Sequence, residues 1–278
     1  MRQNVLVINC GSSSLKYQLL DMAAERLLAR GLVERIGLED GIHTCSVPGR
    51  DDLREEAPIP DHARAFALVL ATLTHPGHGV IGSLDEVAAV GHRVVHAGEK
   101  YSASVVIDDD VIAALKECIP LAPLHNPANI TGIEAAREVM PGVPQVGVFD
   151  TAFHQTMPDR AYVYPIPYHL YTDYGIRRYG YHATTHRNVT LRAAQVLERD
   201  VKDLNFITCH LGNGASVAAV AGGRSIDTSM GLTPLEGLMM GTRSGDIDPA
   251  IVGYLTRRLD LSLAEVERML NKESGMLG

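Results

Sequence analysis

Apolar and polar residues alternate with two different periods along this chain, which predicts a fold that mixes strands and helices. Residues 5–21 and 206–228 share one pattern: a short apolar run, a small polar turn and a second apolar run. Short apolar runs bounded by Gly, Ser and Asn are typical of strands, so each segment predicts a β-hairpin. Residues 87–96 and 145–149 predict two further strands.

Segments with helical spacing of their apolar residues separate these strands. Residues 61–74 and 186–199 predict two helices by their 3.6-residue period. Asn126 and Pro127 are typical of an N-cap followed by proline at the first helical position, and they predict a third helix. Strands that alternate with helices indicate the α/β class.

The length of 278 residues favours two domains. Residues 150–180 are rich in Pro and Tyr and carry few regular patterns, which predicts a boundary there between domains 1–150 and 151–278. Ser262 and Glu265 have the spacing of a capping box that opens a last helix. The chain then breaks off without a closing element, so the second domain is expected to be incomplete.

Composition and charge narrow the class of protein. A hydrophobic content of 46% and a charged content of 21% are ordinary for a globular protein, and a net charge of −8 without a basic block argues against a nucleic-acid partner. No apolar run approaches the roughly 20 residues of a spanning helix, and the N-terminus becomes polar too early for a signal peptide. Four scattered cysteines are typical of reduced thiols. We therefore expect a cytoplasmic protein without a membrane partner.

The two hairpin turns carry groups that suit a phosphate. The first turn (residues 9–14, NCGSSS) is followed by Lys16, and the second turn (residues 210–216) reads HLGNGAS. Glycine lets the backbone approach a ligand closely, while N–H, hydroxyl and amide groups supply convergent donors. Either turn alone could be an ordinary Gly/Ser hairpin. Two of them, one in each half of the chain, favour duplicated domains that grip one phosphate ligand between them.

Charged residues at strand ends and in glycine-rich loops are further candidates. Arg93 and Arg243 suit bidentate binding of a carboxylate or phosphate, although Arg93 could equally form a structural ion pair. Asp150 follows a buried strand, where α/β proteins place metal-binding and catalytic groups, and capping a loop is its alternative role. His182 and His186 have the spacing of two zinc ligands on a helix, but no H-E-x-x-H pattern or partner cysteine supports zinc.

Seven motifs occur in one order along nearly the whole chain. They are VLVINCGSSSLKYQLLD, GHRVVHAGEKY, APLHNPANI, FDTAFHQTMP, RRYGYHATTH, HLGNGASVAAV and DTSMGLTPLEGLMMGTRSGDIDP. Together they resemble the acetokinase family of acetate, propionate and butyrate kinases. The resemblance implies the duplicated actin-like ATPase architecture of sugar kinases, Hsp70 and actin, in which each domain contributes one phosphate-binding turn. Members of the family continue beyond the end of this chain, so it also implies C-terminal truncation.

The resemblance implies direct, in-line transfer of the ATP γ-phosphoryl group to acetate, giving acetyl phosphate and ADP, with Mg²⁺ as cofactor and a homodimer as assembly. A carboxylate acceptor is already ionised, so catalysis rests on positioning and electrostatics. The family's motifs imply these roles: catalysis by Asp150, His182 and Arg243; acyl-substrate binding by Arg93, Val95, Leu124, Tyr181 and Pro234; nucleotide or phosphate binding by Ser12, Ser14, Lys16, His210, Leu211, Gly212, Asn213 and Gly214; and metal binding by Asn9 and Asp150.

Several alternatives stay open. The family's Asp150 position is metal-linked or proton-handling, and a carboxylate ionised at neutral pH favours the metal. Tyr181 and Ala183 stand where the family usually has Phe and Gly, which could shift preference among acyl chains. One methylene is worth only about 1–3 kcal/mol, so propionate and butyrate remain candidates, although Val95 favours the smaller acid. The family's adenosine loop and a magnesium-binding glutamate are not found after Arg243. A catalytically impaired nucleotide-binding fragment, a pyrophosphate-dependent enzyme and a regulatory phosphate-binding domain are therefore further alternatives.

Overall fold

The computed structural model describes residues 3–123 and 125–278, and the chain divides into two compact units, Met1–Phe149 and Asp150–Gly278. Both units contain strands and helices, so the α/β prediction is confirmed. None of the helices in the described part of the chain has the length and apolar character needed to span a bilayer.

A mixed sheet organises the first unit. Its strands are β1 (Asn4–Cys10), β2 (Ser14–Asp21), β3 (Arg26–Glu34), β4 (Leu38–Ser46), β5 (Leu53–Ile59), β6 (Val87–Val94), β7 (Val105–Val106) and β8 (Gln145–Phe149). Within the described residues they lie in the order β5-β4-β3-β2-β1-β6-β8-β7. Strands β1 to β5 are antiparallel neighbours, whereas β1, β6 and β8 run parallel. The carboxyl ends of β1, β6 and β8 therefore meet at one edge of the sheet.

Three helices accompany this sheet: α1 (His62–Leu73), α2 (Asp109–Glu117) and α3 (Asn126–Val139). Alternate residues of the strands, such as Leu6 and Ile8 of β1 and Leu15 of β2, are fully buried in one cluster with Phe66 and Val69 of α1. The period of two in the strands and of about 3.6 in the helix thus places both apolar faces in one core. This core fixes the ends of β1 and β6, where the predicted functional residues of this unit lie.

The second unit holds a smaller sheet. Its elements are α4 (Asp159–Tyr162), α5 (His169–Tyr174), α6 (Ala183–Val196), β9 (Asn205–Leu211), β10 (Ala215–Ala221), β11 (Arg224–Thr228), α7 (Ala250–Leu259) and α8 (Leu263–Lys272). Within the described residues the three strands form an antiparallel sheet in the order β11-β10-β9. The capping box of Ser262 and Glu265 is present at the start of α8, as predicted.

Both predicted hairpins are confirmed, as β1–β2 and β9–β10. Two predictions about helix ends were wrong. Asn126 is the first residue of α3 and not its N-cap, since its buried side chain instead bonds the backbone of His96 and Leu115. The helix predicted at 186–199 begins earlier, at Ala183, because His182 takes a left-handed conformation that starts the helix.

Candidate active site

The predicted functional residues of the first unit gather at the ends of β1 and β6. These strands are parallel neighbours, with Ile8 paired to His92, so the residue after each lies side by side at the sheet edge. Arg93 accordingly donates from Nη1 to Asn9 Oδ1 over 3.5 Å, a long hydrogen bond. Val95, just beyond β6, is buried. The predicted acyl-site residue Leu124 lies outside the described residues.

The first turn presents its polar groups to solvent while its backbone is held from behind. Ser12 and Lys16 are exposed and Ser14 is half-buried. The N–H of Gly11 donates to the carbonyl of Ser14 over 2.8 Å, and Nε2 of His62 on α1 donates to the Gly11 carbonyl over 2.8 Å. The turn is therefore anchored to α1, and its hydroxyl and ammonium groups remain accessible to an anion.

Asn129, a residue that sequence patterns did not single out, joins the two strand ends. Its side chain is buried on α3. Nδ2 donates to the Cys10 carbonyl over 2.8 Å, and Oδ1 accepts from the Val95 N–H over 3.0 Å. One amide thus ties the end of β1 to the residue that follows β6, which fixes the spacing on which the Asn9–Arg93 contact depends.

An Asn129→Asp variant is expected to destabilise the protein by about 1–3 kcal/mol. Aspartate keeps an oxygen for the Val95 N–H but loses the donor to the Cys10 carbonyl, which is left buried without that partner. Urea unfolding measures the change. Asn188→Asp, the same substitution at an exposed position of α6, should stay within about 0.5 kcal/mol of the parent. Equal stability of the two variants would show that the Asn129 bridge contributes nothing.

Asp150 opens the second unit, directly after β8, and its side chain is buried. Its backbone carbonyl accepts from the N–H of Ala183, the first residue of α6, over 2.9 Å. The first N–H groups of a helix have no partner within the helix, so this contact satisfies one of them. It holds the segment 181–183, which carries two predicted site residues, next to the backbone of Asp150.

Tyr181 is tied to the loop that carries Pro234. The Tyr181 hydroxyl donates to the Leu232 carbonyl over 2.8 Å, and burial raises the pKa of this phenol well above its usual range. Arg178 holds the preceding part of the same loop, because it donates to the carbonyl of Thr228 over 2.8 Å and pairs with Glu236 at 2.8 Å. The hydroxyl that distinguishes Tyr181 from the family's phenylalanine therefore serves a backbone contact.

The second turn brings two predicted catalytic residues, His182 and Arg243, next to two predicted phosphate-binding residues, His210 and Gly214. A Cβ atom added to Gly214 would lie 3.3 Å from Nη1 of Arg243 and 3.5 Å from Nε2 of His182. The ring of His182 also stacks on that of His210, with centroids 3.8 Å apart. Gly241 donates to the Asn213 carbonyl over 3.0 Å, which anchors the turn to the segment that bears Arg243. Leu211, Gly212 and Asn213 at its tip are exposed.

Arg243 is held in the loop beside the turn. Its Nη1 donates to the Pro234 carbonyl over 3.1 Å, and burial lowers the pKa of its guanidinium. An arginine keeps its charge in proteins, so the turn faces a cation that is partly stripped of water. Electrostatic attraction for an anion is stronger in such a site than in open solvent.

His182 and His186 share one hydrogen-bond partner. Nδ1 of His182 and Nε2 of His186 each lie 2.8 Å from the Ser216 hydroxyl. The sequence analysis placed Ser216 at the end of the second turn, whereas the structure places it on β10, where it is fully buried. A spacing of four residues places both rings on one face, which meets this serine.

Acidification is expected to destabilise the protein through two buried histidines of this unit. Burial lowers the pKa of His154 to about 4 and that of His186 to about 4. In the unfolded chain both pKa values return to about 6.5, so between these values the unfolded state binds protons that the folded state does not. Stability is therefore complete above about pH 6.5 and is lost as the pH falls towards about 4.

Urea unfolding at several pH values measures the total proton uptake, to which His154 and His186 should each contribute about one proton; His92 of the first unit, whose pKa burial also lowers to about 4, should contribute another. His186→Gln should reduce the uptake by about one proton. A urea midpoint that does not change over this pH range would contradict the expectation.

Similarity to known proteins extends over almost the whole chain. A family model described as the acetokinase family matches residues 4–278. The curated acetate kinase of Clostridium botulinum strain Okra is 60% identical over 274 residues, which cover 99% of this chain and 69% of that protein. Among solved structures, Porphyromonas gingivalis acetate kinase has a TM-score of 0.96 and 49% identity, covering 99% of this chain and 69% of that one. A propionate kinase from Francisella tularensis has a TM-score of 0.91 and 44% identity, with 99% and 70% covered.

Proposed function

This chain belongs to the acetokinase family, and we propose that it transfers the γ-phosphoryl group of ATP reversibly to acetate, giving acetyl phosphate and ADP. The family consists of phosphotransferases, and the fold is that of solved acetate kinases. The observation that carries the proposal is the approach of His182 Nε2 and Arg243 Nη1 to the same glycine of the second turn. The Arg243 guanidinium, together with a His182 ring that donates from Nε2 when it is protonated, suits a phosphoryl group in transfer.

In the proposed mechanism, His182 and Arg243 stabilise the charge on the transferred phosphoryl group. Phosphoryl transfer needs little covalent participation from the protein, so preorganised donors and the alignment of the reactants supply most of the rate. A carboxylate acceptor carries no proton to remove, and no general base is required. The reacting oxygen of acetate attacks phosphorus as the ADP oxygen leaves, and the same residues serve both directions.

The two turns are proposed to bind phosphates through separate sets of donors. In the first turn, exposed Ser12 and Lys16, together with Ser14, offer two hydroxyls and an ammonium group. In the second turn, residues 210–214 offer backbone N–H groups around two glycines, a geometry that suits anions. Arg93 is proposed to bind the carboxylate of the acyl substrate, and its contact with Asn9 orients its guanidinium.

Magnesium is proposed as the cofactor. Asn9 offers an amide oxygen and Asp150 a carboxylate, and oxygen donors of these kinds are the ligands that Mg²⁺ prefers. Mg²⁺ is usually held by one or two such side chains together with water and substrate phosphates, so each of these side chains suits this ion. When bound, the ion would neutralise charge on the nucleotide phosphates.

Acetate is proposed as the main acyl substrate, and propionate is the second candidate. Buried Val95, the ring of Tyr181 and half-buried Pro234 are the described residues proposed for the acyl pocket. Propionate is the second candidate because a propionate kinase is 44% identical to this chain, with a TM-score of 0.91. A difference of one methylene is worth about 1–3 kcal/mol, so the preference is expected to be relative.

A cellular compartment is proposed from the state of the cysteines, and an oligomeric state from the resemblance to the family. All four cysteines are free, three of them buried, which suits a reducing compartment such as the cytoplasm. A homodimer is proposed because the motifs resemble those of a dimeric family.

The direct test measures ATP formation from Mg-ADP and acetyl phosphate by the purified chain, with propionyl phosphate and butyryl phosphate in parallel. Saturable ATP formation that is fastest with acetyl phosphate is expected. Faster turnover of propionyl phosphate would reassign the acyl substrate. Turnover of acetyl phosphate that requires inorganic phosphate in place of ADP and forms pyrophosphate, or no turnover with any acyl phosphate, would overturn the proposed reaction.

A further inference from the structure

Four side chains of the second unit form one continuous hydrogen-bonded chain that ends at His182. Thr208 Oγ1 lies 2.8 Å from His186 Nδ1. His186 Nε2 and His182 Nδ1 each lie 2.8 Å from Ser216 Oγ. Thr208, His186 and Ser216 are all buried, whereas His182 is half-buried. Of the two histidine rings in this hydrogen-bonded network, that of His182 is the one that lies beside Gly214 of the second turn.

Counting protons assigns a direction to these hydrogen bonds. Thr208 Oγ1 also lies 3.5 Å from the Ala218 carbonyl, a long contact with an oxygen that can only accept, and we place the single Thr208 hydroxyl proton on that side. Thr208 Oγ1 then accepts from His186 Nδ1. His186 is neutral, since burial lowers its pKa to about 4. Its Nε2 is consequently an acceptor, and the proton of Ser216 points to it. Ser216 has one proton, so its oxygen must accept from His182 Nδ1.

We propose that Ser216 and His186 are positioning residues that hold His182 with a proton on Nδ1, so that Nε2 faces the transferred phosphoryl group and donates to it when the ring carries a second proton. The inference deepens the proposed function and rests on the role given there to His182. Which nitrogen of a histidine is protonated is set by the hydrogen bond that the other nitrogen makes. Free histidine in water favours a proton on Nε2, so the network selects the less common tautomer.

The backbone conformation of His182 is also consistent with a ring held in a fixed orientation. His182 has φ +59° and ψ +22°, a left-handed conformation that costs a residue other than glycine roughly 1–2 kcal/mol. It precedes the first residue of α6, yet its side chain makes no capping hydrogen bond to that helix. The side chain turns instead towards Ser216, which directs the opposite edge of the ring, with Nε2, towards Gly214 and Arg243.

The network also accommodates a cationic ring without rearrangement. When both nitrogens of His182 carry protons, Nδ1 still donates to Ser216 and Nε2 becomes a donor to an anion. His186 adds no charge of its own, so no repulsion between the two rings opposes the cation. The stacked ring of His210 covers one face of His182 and limits its rotation.

Nitrogen-15 NMR of the full chain with labelled histidine reads the tautomer of each ring directly, at a pH near neutrality and without substrate. In the parent protein His182 is expected to carry its proton on Nδ1. In Ser216→Ala the acceptor is lost, and the ring should shift towards the Nε2 tautomer. A His182 ring already protonated on Nε2 alone in the parent, or one unchanged by Ser216→Ala, would overturn the inference.

Ser225→Ala is the matched control. Ser225 is also fully buried and its hydroxyl lies 2.8 Å from a histidine nitrogen, Nδ1 of His154. This variant should alter the signals of His154 and leave the tautomer of His182 as it is. A change of the His182 tautomer in Ser225→Ala as large as that in Ser216→Ala would show a general loosening of the unit and would count against the specific role of Ser216.

Kinetics supply a second readout. Ser216→Ala is expected to lower kcat by about 10-fold to 100-fold, the size of effect seen when the hydrogen-bond partner of a metal-ligating histidine is removed, with the KM for acetyl phosphate changed less. A rise in KM alone would contradict the inference. The tautomer is measured without turnover, so failure of the proposed reaction and failure of the His182 assignment give different results.

Discussion

Replacement of Arg243 by alanine is expected to lower kcat for phosphoryl transfer by about 10²–10³-fold, with a smaller change in the KM for acetyl phosphate. A preorganised donor that strengthens its interaction as charge develops acts mainly on the transition state. Arg243 has the features of such a donor, since it is half-buried and is held through Nη1 by the Pro234 carbonyl. Its side chain reaches the Gly214 backbone beside His182 Nε2.

Arg243→Lys separates charge from geometry. Lysine keeps the positive charge but lacks the planar fork of five donors, one of which is used by Pro234. This variant should retain part of the activity and fall between the parent and Arg243→Ala. The measurement is steady-state ATP formation at saturating Mg-ADP, combined with thermal unfolding to establish that each variant is folded.

Arg258→Ala is the control for a loss of positive charge in the same unit. Arg258 is exposed near the end of α7 and should change kcat by less than about twofold. A folded Arg243→Ala variant with kcat within a few-fold of the parent would remove Arg243 from the catalytic residues. It would also place the stabilisation of the phosphoryl group on other donors of the second turn.

The hairpins could be predicted from the sequence because their signals are local. Apolar alternation over seven or eight residues and a run of Gly, Ser and Asn lie within one short segment, and β1–β2 and β9–β10 form there. The helix predicted at residues 61–74 has an equally local signal, and both ends of α1 lie within one residue of the predicted limits. In these segments the side-chain pattern and the backbone conformation favour the same element, and contacts with distant residues are not needed to specify it.

The residues that hold the site together could not be read from the sequence, because their partners are remote. Asn129 contacts Cys10 across 119 positions, and Ser216 contacts His182 across 34. Asn126 is a case in which contacts with remote residues override a local sequence signal. Its pairing with Pro127 is a local signal for an N-cap, yet bonds to His96, 30 positions away, determine where its side chain lies. Buried amides and hydroxyls take whichever partner the fold supplies, since an unsatisfied buried polar group is costly.

Gly180→Ala is expected to destabilise the second unit by about 2–5 kcal/mol. Two independent costs add there. Gly180 has φ +74°, a left-handed conformation that would cost an alanine roughly 1–2 kcal/mol. An added Cβ would also lie 2.4 Å from Cγ2 of Thr228 and 2.8 Å from Cδ2 of His154, and overpacking of a core typically costs about 1–3 kcal/mol.

Gly223→Ala in the same unit measures the first cost by itself. Gly223 has nearly the same φ, +76°, but an added Cβ would meet only the methyl groups of Val201, at 3.3 Å. This variant should lose roughly 1–2 kcal/mol by urea unfolding, and the difference between the two variants isolates the clash. Equal losses would mean that His154 and Thr228 move aside at no cost.

The clash at Gly180 has a functional consequence because of what His154 does. Its Nε2 donates to the Tyr181 carbonyl over 3.0 Å, so it fixes the residue that precedes His182. A methyl group that displaces the His154 ring should therefore release this carbonyl and disturb the left-handed conformation of His182. Gly180→Ala is expected to lose activity beyond its loss of folded protein, whereas Gly223→Ala should lose only in proportion to unfolding. Full specific activity in the folded fraction of Gly180→Ala would separate the His154 contact from the orientation of His182.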